Sequence, residues 1–537
     1  MSPDRFTLVI WAFSFFQISF LHGFVLLEWF TDWRLSLGTT SLLISTFGIG
    51  LIANLVLFAV TTLVHQGLGL QTDTLLKFTL YLILLIEVVY FTRASIRDVL
   101  VLRTGCIAFL FPLFLVIFGQ LRSDALSSIF VCDEIPGYLV WAKAWSMNHF
   151  PHYIMFYGQL IPAAWASLIF CLHSPLYLAI LIKPLSSLFS IYILLGFWEL
   201  FQRTNRTAHG LAILLIWLLI AMTTWTRSAI WVNQVSFWRV LFYFNSMNID
   251  LAVTFFGVMA WIFLLMASLK RTWKEARFLV LLGQVFVIGA ALTKQAGGFS
   301  LITYPFMGMI LLRDLDLSRN QKVRLVTLSL IGSLIALAPF VALNEYLTYH
   351  KLNSNGNLED IGRRMSYMGP SALSRFGPAL ETLAAYCFHP AVVFAYFCLA
   401  GWGILLSYQA ATGMILLGLP YLCLWALYFS YEVPNLSLAL PFIGFSGGYG
   451  MEKLLRLPAK TIVGFRSPVG FGSLRMWKLI GVGSVALVLV LSFVFPKNTW
   501  VNWQRELNDY YSVRLFQHFP FDYFVQNGRI QMRPRGQ

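Results

Sequence analysis

Runs of eighteen or more mostly apolar residues recur from residue 6 to residue 495, and no motif constrains the chain as strongly as that pattern. A helical run of this length crosses the ~30 Å hydrocarbon core of a bilayer. Within lipid a helix satisfies its own backbone hydrogen bonds, which an open strand cannot do. The pattern predicts an all-α polytopic membrane protein with about 14 spans. They fall near 6–30, 40–64, 75–92, 101–120, 174–199, 208–229, 250–269, 276–293, 297–313, 323–344, 386–407, 411–430, 435–451 and 478–495. Charge agrees: 11% of the residues are charged, against about 25% in soluble domains. The first run is too long for a signal-peptide core and is expected to be a retained span.

The net charge of +15 comes mainly from lysines and arginines between the runs. No compact basic domain is present, so nucleic acid is not an expected partner. The clusters are Arg93, Arg97 and Arg103; Arg203 and Arg206; Lys270, Arg271, Lys274 and Arg277; Arg313, Arg319, Lys322 and Arg324; and Lys453, Arg456, Lys460, Arg466, Arg475 and Lys478. They fall on one side, and the positive-inside rule makes it the cytoplasm, provided that 152–173 does not cross. That segment, rich in aromatics and interrupted by Pro162, is therefore expected to lie in or re-enter the outer interface. Segments 121–173, 230–249, 345–385 and 496–537 are then external. The connections 31–39 and 65–74 give no strong orientation signal. The mid-span regions look almost charge-free. The six cysteines form no C-x-x-C pair, so a zinc site of that spacing is absent.

Several polar groups gather on the external side. In "VCDEIPGYLVWAKAWSMNHFPH" (131–152), Glu134, Tyr138, Trp141 and Trp145 share one helical face. Tryptophan and tyrosine favour the headgroup level, so a helix is expected along the outer surface with Asp133 and Glu134 at its start. These acids either cap the helix or supply a general base, with Asp133 the better placed and Glu134 orienting. Asp250 sits where the chain enters a span: a solvated helix start, or a site acid. Lys294 occupies a tight turn, "ALTKQAGGF", either snorkelling or contacting a phosphate. Gly297 and Gly298 beside it permit close backbone approach. Arg363 and Arg364 are either solvated or further phosphate contacts. His149 and His152 fit no specific zinc spacing, and a divalent metal near Asp133 and Glu134 stays open. A phosphate-loop motif is absent.

Together these segments resemble the GT-C superfamily of integral-membrane glycosyltransferases, above all its protein O-mannosyltransferase and aminoarabinose transferase-like branch. The resemblance covers roughly residues 101–450. It rests on "DEIPGYLVWA" (133–142), "YGQLIPAAWA" (157–166), "NIDLAVTFF" (248–256), "TKQAG" (293–297) and "YEVPNLSLALPF" (431–442), in that order. Gln159 stands where the aminoarabinose branch often has lysine, and Val433–Pro434 replace an expected arginine.

The resemblance implies a GT-C-like bundle with external interfacial helices. Residues 1–100 would be additional N-terminal helices, 101–495 the catalytic core and 496–537 an external tail. It implies inverting transfer of a sugar from a polyprenyl-phosphate donor to a hydroxyl of a glycan, lipid or protein. Asp133 would accept the proton, and Lys294, Arg363, Arg364 and Gln159 would face the donor phosphate. Asp250, Tyr157 and Glu432 would serve the acceptor or supply a second acid. No cofactor is demanded. The expected location is a plasma membrane, the bacterial inner membrane, with the site on the extracytoplasmic side among membrane lipids. The competing classes are a flippase for lipid-linked sugars and a non-catalytic assembly protein. Transport would call for charges at mid-membrane, so nearly charge-free spans favour surface chemistry.

Overall fold

The structure is a computed structural model that describes residues 5–29, 33–70, 72–121, 140–151, 158–169, 175–224, 249–315, 318–349, 374, 390–429, 433–456, 521–526 and 529–534. Helical structure occupies the described part of each expected span except 478–495, which lies outside the described residues. The first run is α1 (Arg5–Phe16), a π-helical turn (Gln17–Leu21) and α2 (His22–Glu28) in continuous succession. A short α3 (Trp33–Ser36) leads to α4 (Thr39–Gly67), α5 (Asp73–Arg97) and α6 (Val99–Leu121). Two short helices follow, α7 (Val140–Ser146) and α8 (Leu160–Ile169). Then come α9 (Pro175–Thr204), α10 (Thr207–Thr224), α11 (Ile249–Ser268), α12 (Trp273–Thr293), α13 (Gln295–Leu311) and α14 (Arg319–Tyr349). The last helical part is α15 (Pro390–Leu406), α16 (Tyr408–Gly413), α17 (Leu419–Leu424), a 3-10 turn (Val433–Leu438) and α18 (Leu440–Arg456). In the expected tail, β1 (Phe521–Gln526) pairs antiparallel with β2 (Arg529–Pro534), and β2 contacts α7.

Among the described residues, seven helices are long and apolar enough to cross a membrane, and several more are apolar but shorter. The chain is thus a helical multi-pass membrane protein. Its centre is aromatic. Phe47 of α4 meets Phe189 and Tyr192 of α9 and Phe255 of α11 at ring-centroid separations of 4.9–5.4 Å, and Phe286 of α12 closes the cluster at 5.6 Å from Phe255. Rings tilted or edge-on at such distances gain from their quadrupoles beyond simple burial. Helix α4, from the segment expected to be an N-terminal addition, therefore lies in the middle of the bundle. Elsewhere small residues set the spacing. A Cβ on Gly448 would collide with the Ala208 carbonyl of α10, and one on Gly403 or Gly450 with the facing backbone of α18 or α15. In lipid, where hydrophobic drive between helices is lost, such close approach is a main source of helix association.

A chain of contacts collects the described parts of the basic clusters at one end. Arg34 reaches Glu28 at 2.7 Å and Asp98 at 3.4 Å, next to the cluster of residues 93–103. Arg203 donates to the Ser36 carbonyl at 3.0 Å. His209, three residues past Arg206, is bonded to Tyr449 at 2.9 Å, and Tyr449 donates to Gln409 at 3.0 Å. Tyr408 in turn donates to Asp314 at 3.2 Å while Arg313 lies over its ring. Helix α3 also touches α12, which follows Lys270 and Arg271. The described residues of the first connections now have a place: Glu28, Arg34 and Ser36 lie at the basic end, and His65 and Thr72 at the other, where Asn148 joins His65 and the Thr72 carbonyl.

Two expectations about polar and aromatic placement are corrected. Trp141 and Trp145 of α7 are buried in protein, not laid along the headgroups, as is all of α8. Trp145 packs edge-on to Phe58 of α4 and Phe150. Helix α8 is ten residues, about 15 Å, so the described part is too short to cross. Asn54 of α4 donates to the Ala163 carbonyl at 3.0 Å and accepts from Ser167 at 2.9 Å, fastening it inside the bundle. The spans are also not charge-free: Glu87, midway along α5, is buried against His22 and Gln17.

Candidate functional site

The end opposite the basic clusters holds the described candidate residues. Asp250 lies in the first turn of α11, where the helix dipole favours an anion. Lys294 is the one residue between α12 and α13, in extended conformation, and its backbone carbonyl accepts from Gly297 N at 2.9 Å. The turn is this tight because a Cβ at Gly297 would meet the Ala290 carbonyl; Gly298 faces open space and needs no such allowance. Lys294 Nζ donates to Asp250 Oδ1 at 2.7 Å, with the two side chains 18% and 7% exposed. Residues 44 positions apart thus form one partly desolvated ion pair.

Three further segments flank this pair. Gly158 packs on the backbone of Leu292 and Thr293, and a side chain there would collide with the Leu292 carbonyl. The next residue, Gln159, is buried and accepts from Trp145 Nε1 at 3.2 Å. Its amide therefore also works as a brace between α7 and the start of α8. Helix α7 ends in a Schellman motif: His149 N donates to the Ala144 carbonyl and Asn148 N to that of Trp145, both at 3.0 Å. Asn148 takes the left-handed conformation this requires, φ 61°, which asparagine tolerates better than most residues. Its amide donates to His65 Nδ1 at 2.9 Å and to the Thr72 carbonyl at 3.2 Å. On the other flank, Ser437 in the 3-10 turn is bonded to Thr254 at 3.2 Å, one turn into α11 from Asp250. The late segment 431–442 thereby comes to the same end as the TKQAG turn. Tyr421 of α17 donates to the Ala296 carbonyl at 3.1 Å and is bonded to Ser300 at 3.0 Å.

Compared with known proteins, the chain matches no family model, no curated protein and no solved structure.

Of the expected site residues, Asp250, Lys294 and Gln159 are thus gathered at one end of the bundle. Asp133, Glu134, Tyr157, Arg363, Arg364 and Glu432 lie outside the described residues. No group of three or more potential metal ligands occurs among the described residues. His65, Asn148, Thr254, Ser437 and Tyr421 were not singled out from sequence. Asn148 carried a signal, since asparagine after a short apolar helix is a common C-terminal cap.

What this arrangement can do chemically follows from the ion pair. An ammonium has three donors, so a bond to Asp250 and a contact to a phosphate oxygen are compatible. The one-residue turn and the carboxylate partner hold the charge in place before any ligand arrives. Preorganised charge is most effective where water is scarce.

Proposed function

We propose that this chain is an inverting glycosyltransferase that moves a sugar from a polyprenyl-phosphate donor to an acceptor hydroxyl at the membrane face opposite the basic clusters. The observation that carries the proposal is the Asp250–Lys294 pair, 2.7 Å apart and partly buried at that end, with Gly158–Gln159 and the 3-10 turn beside it. With the basic end taken as cytoplasmic, this face is extracytoplasmic. A lipid-borne donor can reach it laterally, and no nucleotide is needed.

Asp133 takes the acceptor proton as the oxygen attacks the anomeric carbon. The bond from that carbon to the phosphate oxygen breaks, inversion follows, and polyprenyl phosphate leaves. Lys294, held by Asp250, balances the charge developing on the phosphate, with Arg363 and Arg364 as the further cations of this scheme. Glu134 orients, and Tyr157 and Glu432 serve the acceptor. Gln159 supports the site through Trp145.

The test is sugar transfer by the full chain from a synthetic polyprenyl-phosphate sugar, after native mass spectrometry identifies any lipid that copurifies. Asp133→Asn cannot take the proton and is expected to lose about 10²–10⁴-fold in rate. Transfer by this variant at the wild-type rate would remove Asp133 as the base. A wild-type protein that neither binds nor turns over such donors would defeat the proposal.

A second class, transport of a lipid-linked sugar, is favoured by one observation: the buried Glu87 in mid-span. Ionisable groups at that depth often mark transport pathways. Flipping of a fluorescent lipid-linked sugar in vesicles, without sugar transfer, would select it.

A further inference from the structure

Gln17, His22 and Glu87 meet inside the N-terminal helices, far from the Asp250–Lys294 end. His22 Nδ1 is 2.5 Å from Glu87 Oε1, and Gln17 Nε2 donates to Glu87 Oε2 at 3.0 Å and toward the Leu80 carbonyl at 3.4 Å. The three residues are 4–6% exposed. Along its span Glu87 is about 20 Å from the Thr74 end and about 15 Å from the Arg97 end.

Three further facts set this cluster apart. First, His22 Nε2 is buried with no hydrogen-bond partner among the described residues. Second, Gln17 opens, and His22 directly follows, the π-helical turn Gln17–Leu21, a distortion frequent at functional sites. Third, α5 is peripheral: only 17% of its span is buried in protein, and Leu82, Leu85, Ile86 and Val89 are exposed. Glu87 is thus a buried carboxyl on a helix most of whose span is not covered by protein.

No other described charge faces the cluster. On α5 itself, Arg93 and Arg97 are exposed and Lys77 lies about 15 Å away along the axis. On α6, Arg103 and Cys106 are exposed. On α4, the ionisable group is His65, at its far end and bonded to Asn148. Glu28, at the end of α2, is paired with Arg34.

We propose that Gln17, His22 and Glu87 form an intramembrane proton-binding site, with His22 Nε2 as the atom that exchanges a proton with the medium. One proton must lie between Nδ1 and Oε1, since two bare acceptors would repel. With that proton alone the site carries one negative charge. A second proton, taken up at Nε2 from water, makes the site neutral overall. Gln17 holds the carboxylate in both states, so uptake changes the charge between α2 and α5. The site therefore takes a single proton, and the joint it charges and discharges is the one fastening α5 to the first span. This goes beyond the transferase proposal and does not depend on it.

The test uses the full chain, ¹⁵N-histidine labelled, in lipid nanodiscs. The histidine ¹⁵N signals and the infrared carboxyl band are followed from about pH 3 to pH 10, a range that brackets free glutamate and imidazole titration. His22→Gln assigns the His22 signal among the nine histidines, and Glu87→Gln assigns the carboxyl band. The expected result is one protonation step at His22 Nε2 in the wild type, which disappears in His22→Gln and is altered in Glu87→Gln. Invariant His22 signals across the range in folded wild type would make the cluster a static clamp and overturn the proposal. Because the wild-type titration decides, failure of Glu87→Gln to fold leaves the test intact.

Discussion

The Asp250–Lys294 pair permits a double-mutant cycle that separates structural from chemical roles. At 2.7 Å, with side chains 7% and 18% exposed, it is closer to a buried than to a surface pair. Removing one partner of a fully buried pair costs about 3–5 kcal/mol, because the other charge is stranded. Partial exposure of Lys294 lets water screen some of that, so Lys294→Met or Asp250→Asn is expected to cost about 2–3 kcal/mol. Asp250→Asn retains a polar group in the first turn of α11 but loses the anion that the dipole favours. The double variant strands neither charge. Its cost should fall short of the summed single costs by about 1–2 kcal/mol. The assay is equilibrium denaturation in mixed micelles, run on all four proteins together with sugar transfer. Coupling in stability, with transfer lost in both the Lys294→Met and the double variant, fits a charge that is first positioned and then used. Additive stability costs would refute the ion-pair argument. Full transfer by the double variant would refute the phosphate role of Lys294 while leaving the pair as a structural tie.

Gly158→Ala places a methyl group against the Leu292 carbonyl; backbone has to move, and a loss of about 1–3 kcal/mol is expected by the same denaturation assay. Gly403→Ala, which drives a methyl into the Ser446 carbonyl, should separate α15 from α18 at a similar cost of about 1–3 kcal/mol, read as lowered thermal stability in detergent. Asn148→Gly keeps the left-handed φ but loses the bonds to His65 and Thr72, for an expected cost of about 1 kcal/mol. Asn148→Val loses the bonds and strains the backbone as well, so it should cost about 1–2 kcal/mol more than the glycine variant; equal stabilities of the two would remove the argument from φ.

The bundle was legible because span length and loop charge are one-dimensional signals. Apolar runs located the helices, and the arginine and lysine clusters grouped ends that contacts such as Arg203–Ser36 and His209–Tyr449 then join. Asp250 and Lys294 could be assigned to one end from sequence, but pairing across 44 residues depends on how α11 and α12 pack. The direction of Trp141 and Trp145 was not legible: an apolar aromatic face suits a headgroup layer and a protein interior equally. Trp145 is buried because Phe58 of α4 and Gln159 occupy that side. Glu87 did carry a signal, a lone acid in an apolar run. Its partners sit 65 and 70 residues earlier in a different run, so no local pattern connects them. The Gly444-x-x-x-Gly448 spacing in α18 was another available signal of close helix contact.

The two ionic clusters differ in a way that bears on function. Lys294–Asp250 lies at a helix junction, where a one-residue turn, a helix N-terminus and the Gly158 backbone converge. Under the transferase proposal this is where the donor phosphate would be met. Glu87–His22 lies in mid-span, on a helix largely uncovered by protein. A transferase of a lipid-borne donor needs the first and has no evident chemical use for the second, since its reacting atoms stay at the surface. A transporter has use for both, because a substrate must be released at the other face and a proton at mid-depth can bias the two states. Glu87→Gln is therefore the substitution that divides the two classes. Sugar transfer should persist in a folded Glu87→Gln protein under the transferase proposal. Proton-driven movement of a lipid-linked sugar between leaflets should cease under the transport alternative.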